Sequence, residues 1–233
     1  KNMLSIIIPV YNEINTIEKI IDQINSLNFI KKEIIVVDDF STDGTKELIE
    51  QRLVYKINKV FYHKENKGKG AAIQSAKKLV SGDYIIIQDA DLEYDPNDYE
   101  KLLKPIINKE YEVVYGSRVL GKNRYYQNNF YSNLRVFFNH ALTIFSNILN
   151  NQRLTDAHTC YKVFTKDLFD KIILKENSFS FCPEVTTKIA NLGIKIKEVP
   201  INYNGRTYNE GKKIRFIDGI IAIRTLIQYR FFK

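Results

Sequence analysis

The sequence predicts an α/β protein built on a doubly wound, mostly parallel β-sheet flanked by helices. Three observations predict it. Short apolar, β-branched runs alternate with segments of helical periodicity through the first 115 residues. Those runs are continuously apolar rather than alternating, which marks strands covered on both faces. Clusters of Gly, Asp, Ser and Asn stand between them and supply turns. The chain of 233 residues suits one large α/β domain.

The elements follow in order. Residues 4–9 read Leu-Ser-Ile-Ile-Ile-Pro, a first strand. Residues 16–27 place Ile17, Ile20, Ile21, Ile24 and Leu27 on one helical face. Residues 33–37 form a second buried strand. Ser41-Thr42-Asp43-Gly44 introduces a helix over 45–53. A short third strand spans 60–62, and a helix over 71–80 follows Lys67-Gly68-Lys69-Gly70. Residues 84–87 are an apolar fourth strand. Pro96 opens a helix reaching about residue 108, and 113–115 is a fifth strand. The second half is less regular. Residues 131–149 predict a long aromatic-rich helix, 167–173 and 183–191 shorter ones. Late strands are read at 194–199 and 201–203, and an amphipathic terminal helix at 216–232. Residues 1–120 then form one half and 121–233 the other, with no linker dividing them.

Composition is that of an ordinary globular chain, 44% hydrophobic and 27% charged. Net charge is +8. The last forty residues hold nine Lys or Arg against three acids, +6 of the total. A basic end suits an anionic partner such as phosphates or a membrane surface, although a solvated face explains a charge run alone. Cys160 and Cys182 offer neither a disulfide framework nor zinc spacing. The chain opens directly into a strand, so no leader is read, and no apolar run is long enough to span a bilayer. A cytoplasmic, peripheral location is expected.

In a parallel sheet, ligands bind beyond the carboxyl ends of the strands. Four motifs fall there. Asp89-Ala90-Asp91 follows the fourth strand, and residues i and i+2 project to one side. Two such carboxylates repel unless a hard cation, Mg²⁺ or Mn²⁺, joins them. Asp38-Asp39 ends the second strand; Asp43 or Ser41 suffices to cap the next helix, which leaves the pair for base or ribose contacts. Pro9-Val10-Tyr11-Asn12-Glu13 ends the first strand and offers a stacking ring beside polar groups. Lys67-Gly68-Lys69-Gly70 precedes a helix N-terminus, where anions bind. Each is weak singly; their coincidence at one mouth carries the reading.

These segments, running from Ile6 to Glu13, Val37 to Thr45, Asn66 to Ala72 and Gln88 to Glu93, resemble family-2 glycosyltransferases of the GT-A fold. Gly116-Ser117-Arg118, Thr155-Asp156-Ala157-His158-Thr159-Cys160-Tyr161-Lys162, Pro183-Glu184 and the segment from Val199 through Ile214 are similar to the dolichol-phosphate mannosyltransferase-like branch. The resemblance implies that Pro9, Tyr11, Glu13, Asp38 or Asp39 and Lys69 hold the nucleotide. It implies that Asp89 and Asp91 bind the metal on the diphosphate, with Gln88 beside them. Ser117 and Arg118 would face the acceptor. Arg206, Lys212 and Lys213 would lie on a cationic loop that closes over phosphates. His158 stands where that branch more often carries an acid.

An inverting, metal-dependent hexosyltransfer from a UDP- or GDP-sugar, UDP preferred, to a membrane lipid is therefore expected. A polyprenyl phosphate is the first acceptor and diacylglycerol the alternative. A phosphate acceptor needs no base, but a hydroxyl does; Asp156 is the first candidate and Glu184 the second, which could instead orient a loop. The terminal helix, with Arg224, Arg230 and Lys233, could rest on an anionic bilayer, although a core helix is its plainer reading. A dehydrogenase is disfavoured because no G-x-G-x-x-G follows the first strand. A nucleic-acid-binding module is disfavoured by the acids at the sheet mouth.

Overall fold

The computed structural model describes residues 2–120, 130–206 and 216–232, with the side chains of all of these except 130–135 and 216. Seven strands form one sheet: β1 (Met3–Val10), β2 (Lys31–Asp38), β3 (Lys59–Tyr62), β4 (Tyr84–Ile87), β5 (Val113–Ser117), β6 (Lys162–Thr165) and β7 (Lys197–Pro200). Their spatial order is β3-β2-β1-β4-β6-β5-β7. β3, β2, β1 and β4 run parallel, as do β5 and β7, while β6 lies antiparallel between β4 and β5. The chain winds outward from β1 in both directions, so a crevice opens between the carboxyl ends of β1 and β4.

The helices are α1 (Ile17–Ser26), α2 (Thr45–Leu48, continued by a wider turn over Ile49–Leu53), α3 (Lys69–Lys77), α4 (Tyr99–Ile107), α5 (Phe130–Asn150), α6 (Lys166–Lys171), α7 (Phe181–Asn191) and α8 (Phe216–Phe231). α3 packs on β1 and β2, α4 on β5 and β6, and α5, α7 and α8 on one another. Leu4, Ile6, Ile7 and Ile8 of β1 are all fully buried, as continuous apolar strands require.

Two elements differ from expectation. β6 was not legible because its run is only Lys-Val-Phe-Thr and opens on a lysine. Lys162 is nevertheless fully buried. It reaches the carbonyls of Ala157 (3.2 Å) and Thr159 (2.5 Å) and lies 4.0 Å from the Tyr115 ring centroid. Burying an ammonium is tolerable only with such partners. The two late strands are one, β7, and Tyr203 makes a single bridge to Tyr94.

At the opposite end from the crevice, Glu33 ties β1, β2, β3 and the turn before β4 together. It accepts from Ser5 Oγ (2.5 Å), Lys59 Nζ (2.9 Å), Ser81 N–H (2.7 Å) and Ser81 Oγ (2.7 Å). Burial alone would raise its pKa; these hydrogen bonds outweigh burial and hold it at about 2. A depressed carboxylate contributes stability that is present above its unfolded pKa and is lost as pH falls through the folded one. Glu33→Gln should therefore lower the melting temperature at pH 7, a loss on the order of 2–3 kcal/mol. The gap to wild type should close between about pH 4.5 and 2, measured by thermal denaturation across that range.

Candidate active site

The Asp-Ala-Asp turn is held from beneath by Gln88. Its fully buried side chain accepts from Tyr99 OH (2.6 Å) and Tyr161 OH (2.7 Å) and donates to the Asp89 carbonyl (2.9 Å). All its hydrogen-bonding groups face protein, so Gln88 positions the turn from below. The backbone strains at three loops of the mouth: Asn12, Phe40 and Leu92 have φ of 52°, 65° and 62°. Left-handed non-glycine residues are uncommon and gather at functional sites. Asn12 offsets its strain by pairing with the next loop, N–H to Ser41 Oγ (2.9 Å) and Oδ1 from Thr42 N–H (2.7 Å).

The glycine loop is clamped from two sides. Asp39 accepts from the N–H groups of Lys67 (2.8 Å) and Gly68 (2.7 Å) and from His63 Nδ1 (2.5 Å). On the other side Gly68 and Gly70 lie under residues 176–178. A Cβ on Gly70 would stand 2.1 Å from the Glu176 carbonyl oxygen, and Gly68 has φ +97°. Ala71 N–H donates to the Asn177 carbonyl (3.1 Å). Glu184 in turn accepts from the N–H groups of Lys175 (2.7 Å) and Glu176 (3.0 Å) and from Lys188 Nζ (2.5 Å). Glu184 is wholly buried and orients this loop. The loop's exact closeness places Lys69, whose ammonium pairs with Asp89 and lies 3.2 Å from Cys160 Sγ. Burial would lower the Lys69 pKa, but the Asp89 charge overcomes it and holds the ammonium above the ordinary lysine range.

Arg206 closes the front. Its guanidinium grips Glu13 with both arms (3.0 and 2.9 Å) and reaches Asp91 at 3.1 Å, while its backbone N–H donates to Glu93 (2.6 Å). Burial, then the charges of Asp89 and Glu93, push the Asp91 carboxyl up to about 7 despite Arg206. Two polar atoms at the mouth are enclosed without a partner, Asp38 Oδ1 and Arg206 Nε. Buried polar atoms are ordinarily satisfied, so these are open valences. Asp38 gives its other oxygen to Ser41 N–H (3.1 Å). Tyr11, which follows β1, is 36% exposed, and Pro9 is half-buried in β1.

The donor set suits a hard divalent cation: Asp89 and Asp91 are carboxylates in a partly dehydrated, like-charged cluster that a cation would relieve. Among the described residues no three His, Cys, Asp or Glu side chains are grouped to hold an ion by themselves. Further oxygens would have to come from a ligand.

On the far side of the mouth, Arg118 binds Asp156 with two side-chain bonds (2.6 and 2.8 Å) and a backbone one (3.1 Å), and it lies 5.1 Å from the Tyr203 ring centroid. Ser117 is buried against Thr155 Oγ1 (2.6 Å). Glu198 accepts from the N–H groups of Thr155 (2.7 Å) and Asp156 (2.9 Å), and so fixes the loop that carries Asp156. Burial, then the Lys162 charge, drops His158 to about 4, so its imidazole is neutral. The structure thus engages Asp156 with Arg118 and Glu184 with loop amides. Lys212 and Lys213 lie outside the described residues. Sequence reasoning missed Glu93, Tyr203, Glu198 and the loop at 175–177, because partners up to 113 residues apart share no local pattern.

A carboxyl whose folded pKa is raised costs stability once ionised; the penalty builds as pH rises from its unfolded value to its folded one. Asp91→Asn should remove that penalty. The ligand-free variant should melt above wild type at pH 8, and the difference should vanish near pH 4. Calorimetry at the two pH values checks it.

Residues 5–173 match the family model Glycosyl transferase family 2. The chain is 29% identical to the uncharacterized protein MJ1222 of Methanocaldococcus jannaschii, over the whole chain and 94% of that protein. It is also 29% identical to the dolichyl-phosphate β-glucosyltransferase ALG5A of Trichomonas vaginalis, over 95% of the chain and 71% of that protein. Among solved structures, glucosyl-3-phosphoglycerate synthase of Mycobacterium tuberculosis, crystallised with Mn²⁺, UDP and phosphoglyceric acid, superposes with a TM-score of 0.74 at 20% identity, over 100% of this chain and 80% of that one. The sheet order with its inserted antiparallel strand is that of the GT-A fold, and with nearly three-quarters of its length matched by the family model the chain belongs to glycosyltransferase family 2.

Proposed function

We propose that this glycosyltransferase moves a hexose, with inversion, from a UDP-sugar to a polyprenyl phosphate at a membrane face. The observation that carries the donor half is the opposition of Asp89, Asp91 and Glu13 to the two cations Lys69 and Arg206. Asp89 and Asp91 would hold Mg²⁺ or Mn²⁺, which supplies charge neutralisation for the diphosphate. Tyr11, Pro9 and the open oxygen of Asp38 suit the nucleoside. Arg206 exchanges its carboxylates for donor phosphate, and Lys212 and Lys213 are the further cations of that stretch of sequence. UDP is favoured over GDP because the superposable synthase was crystallised with UDP.

The engagement of both acceptor-side carboxylates carries the acceptor half. In one displacement an acceptor phosphate oxygen bonds to the anomeric carbon. The bond from that carbon to the diphosphate breaks, and UDP departs with the electron pair. No proton moves, so no base is required. Arg118, oriented by Asp156, offers a cation to the acceptor phosphate. Diacylglycerol would need a base that neither Asp156 nor Glu184 is arranged to supply. The relative named a dolichyl-phosphate β-glucosyltransferase points to the same acceptor class. The reaction then belongs at the inner membrane face. No helix of the described residues is long and apolar enough to cross a bilayer.

The test pairs UDP- and GDP-sugars with polyprenyl phosphate and diacylglycerol, with and without Mn²⁺. Transfer should need UDP-sugar, Mn²⁺ or Mg²⁺, and the phosphate acceptor. Asp91→Asn should reduce it by at least about 10²–10³-fold while the protein stays folded. Asp156→Asn should raise the acceptor KM more than it lowers kcat. A collapse of kcat at unchanged KM would instead return the base role to Asp156 and, with it, a hydroxyl acceptor.

A further inference from the structure

Tyr203 touches both sides of the mouth, with different parts of its side chain. It follows β7 on the stretch that carries Arg206 and makes the bridge to Tyr94. Its hydroxyl donates to Glu93 Oε2 (2.7 Å). The other oxygen, Glu93 Oε1, accepts from the Arg206 N–H (2.6 Å), and the Glu93 carbonyl accepts from the Asn204 N–H (2.9 Å). One glutamate thus fastens residues 203, 204 and 206, and the Arg206 guanidinium reaches Glu13 and Asp91 from that anchor. The ring of Tyr203 makes a separate contact. The Arg118 guanidinium lies over it, with Cζ 5.1 Å from its centroid. Asp156 holds Nε and Nη2 of that guanidinium edge-on, and the ring covers a face. The Tyr94 ring meets the Tyr203 ring at 61°, with centroids 5.0 Å apart. A Cβ on Gly205 would stand 3.0 Å from Tyr203 Cε1, so the chain passes close against the ring and confines it.

We infer that Tyr203 is a positioning residue that sets Arg206 through its hydroxyl and Arg118 through its ring, and so joins the two sides of the mouth in one side chain. The two contacts differ in chemistry and can be separated. A hydrogen bond to a carboxylate needs the phenol oxygen, whereas the attraction of a cation needs only the aromatic face. Phenylalanine removes the first and keeps the second. Leucine removes both. A side chain that merely filled space would loosen both arginines together when either group was lost. Arg206 meets donor phosphate and Arg118 acceptor phosphate only if the proposed transfer holds, so the substrate measurements rest on that reading. The protection of the two arginines in the ligand-free protein does not.

The full chain, without ligand, is treated with phenylglyoxal, and modification of Arg118 and Arg206 is followed by peptide mass spectrometry. Both should react slowly in wild type, since their side chains are 8% and 18% exposed. Tyr203→Phe should speed modification of Arg206 at least about threefold and leave Arg118 unchanged. Tyr203→Leu should speed both. Tyr115→Phe, which loses a buried hydroxyl bond to Thr186 (3.0 Å), should change neither. Circular dichroism confirms folding of each, and Tyr203→Met replaces the leucine variant if that one does not fold. In transfer assays with Mn²⁺, Tyr203→Phe should raise the UDP-sugar KM at least about threefold at unchanged polyprenyl phosphate KM. Tyr203→Leu should raise both KM values. The role is overturned if Tyr203→Phe unprotects both arginines alike or neither, if Tyr203→Leu leaves Arg118 as protected as in wild type, or if the two KM values move together in Tyr203→Phe. Absence of transfer by the wild-type protein sinks the proposed substrates alone, because the arginine labelling still decides the role of Tyr203.

Discussion

Glu13, Asp89, Asp91 and Glu93 crowd negative charge into a mouth from which water is partly excluded. Like charges there repel more strongly than in bulk water, and Asp91 answers by resisting ionisation to about pH 7. Lys69 from one side and Arg206 from the other supply the compensating charge. The remaining architecture of the site exists to hold those two cations against those acids. Gln88 and its two tyrosines support the aspartates from below. Asp39, Glu184 and the 175–177 loop press the glycine turn until Lys69 meets Asp89. A cluster that is costly when empty is one that gains most when a cation and a diphosphate arrive.

The same economy of charge appears on the far side of the mouth. Arg118 and Asp156 are both buried, and each satisfies the other with paired hydrogen bonds. Glu198 fixes the loop beneath them through backbone N–H groups. This arrangement orients an arginine rather than freeing a carboxylate.

Much of the candidate site was legible beforehand. Apolar strands with polar tips announce which loops face the crevice, because a strand buried on both faces can carry polar chemistry only at its ends. That is why Glu13, Asp38, Asp89 and Asp91 stand out in the sequence as residues of the mouth. Asp39 was found too, but its carboxylate turned out to hold Lys67, Gly68 and His63. Whether a strand-end acid faces ligand or loop depends on which segment lies across from it, and local pattern does not carry that.

By itself, the sequence determined the order of strands and helices through the first half and the motifs at the strand ends, since periodicity and turn chemistry act over a few residues. Tertiary structure alone decided that 162–165 is a strand in the middle of the sheet, because a lysine can be buried there only when Ala157, Thr159 and Tyr115 come together around it. It also decided that Asp156 belongs to Arg118, Glu184 to a loop, and Arg206 to acids more than a hundred residues away. Charge pairing across the chain is a property of three-dimensional proximity, and nothing local in the sequence encodes it.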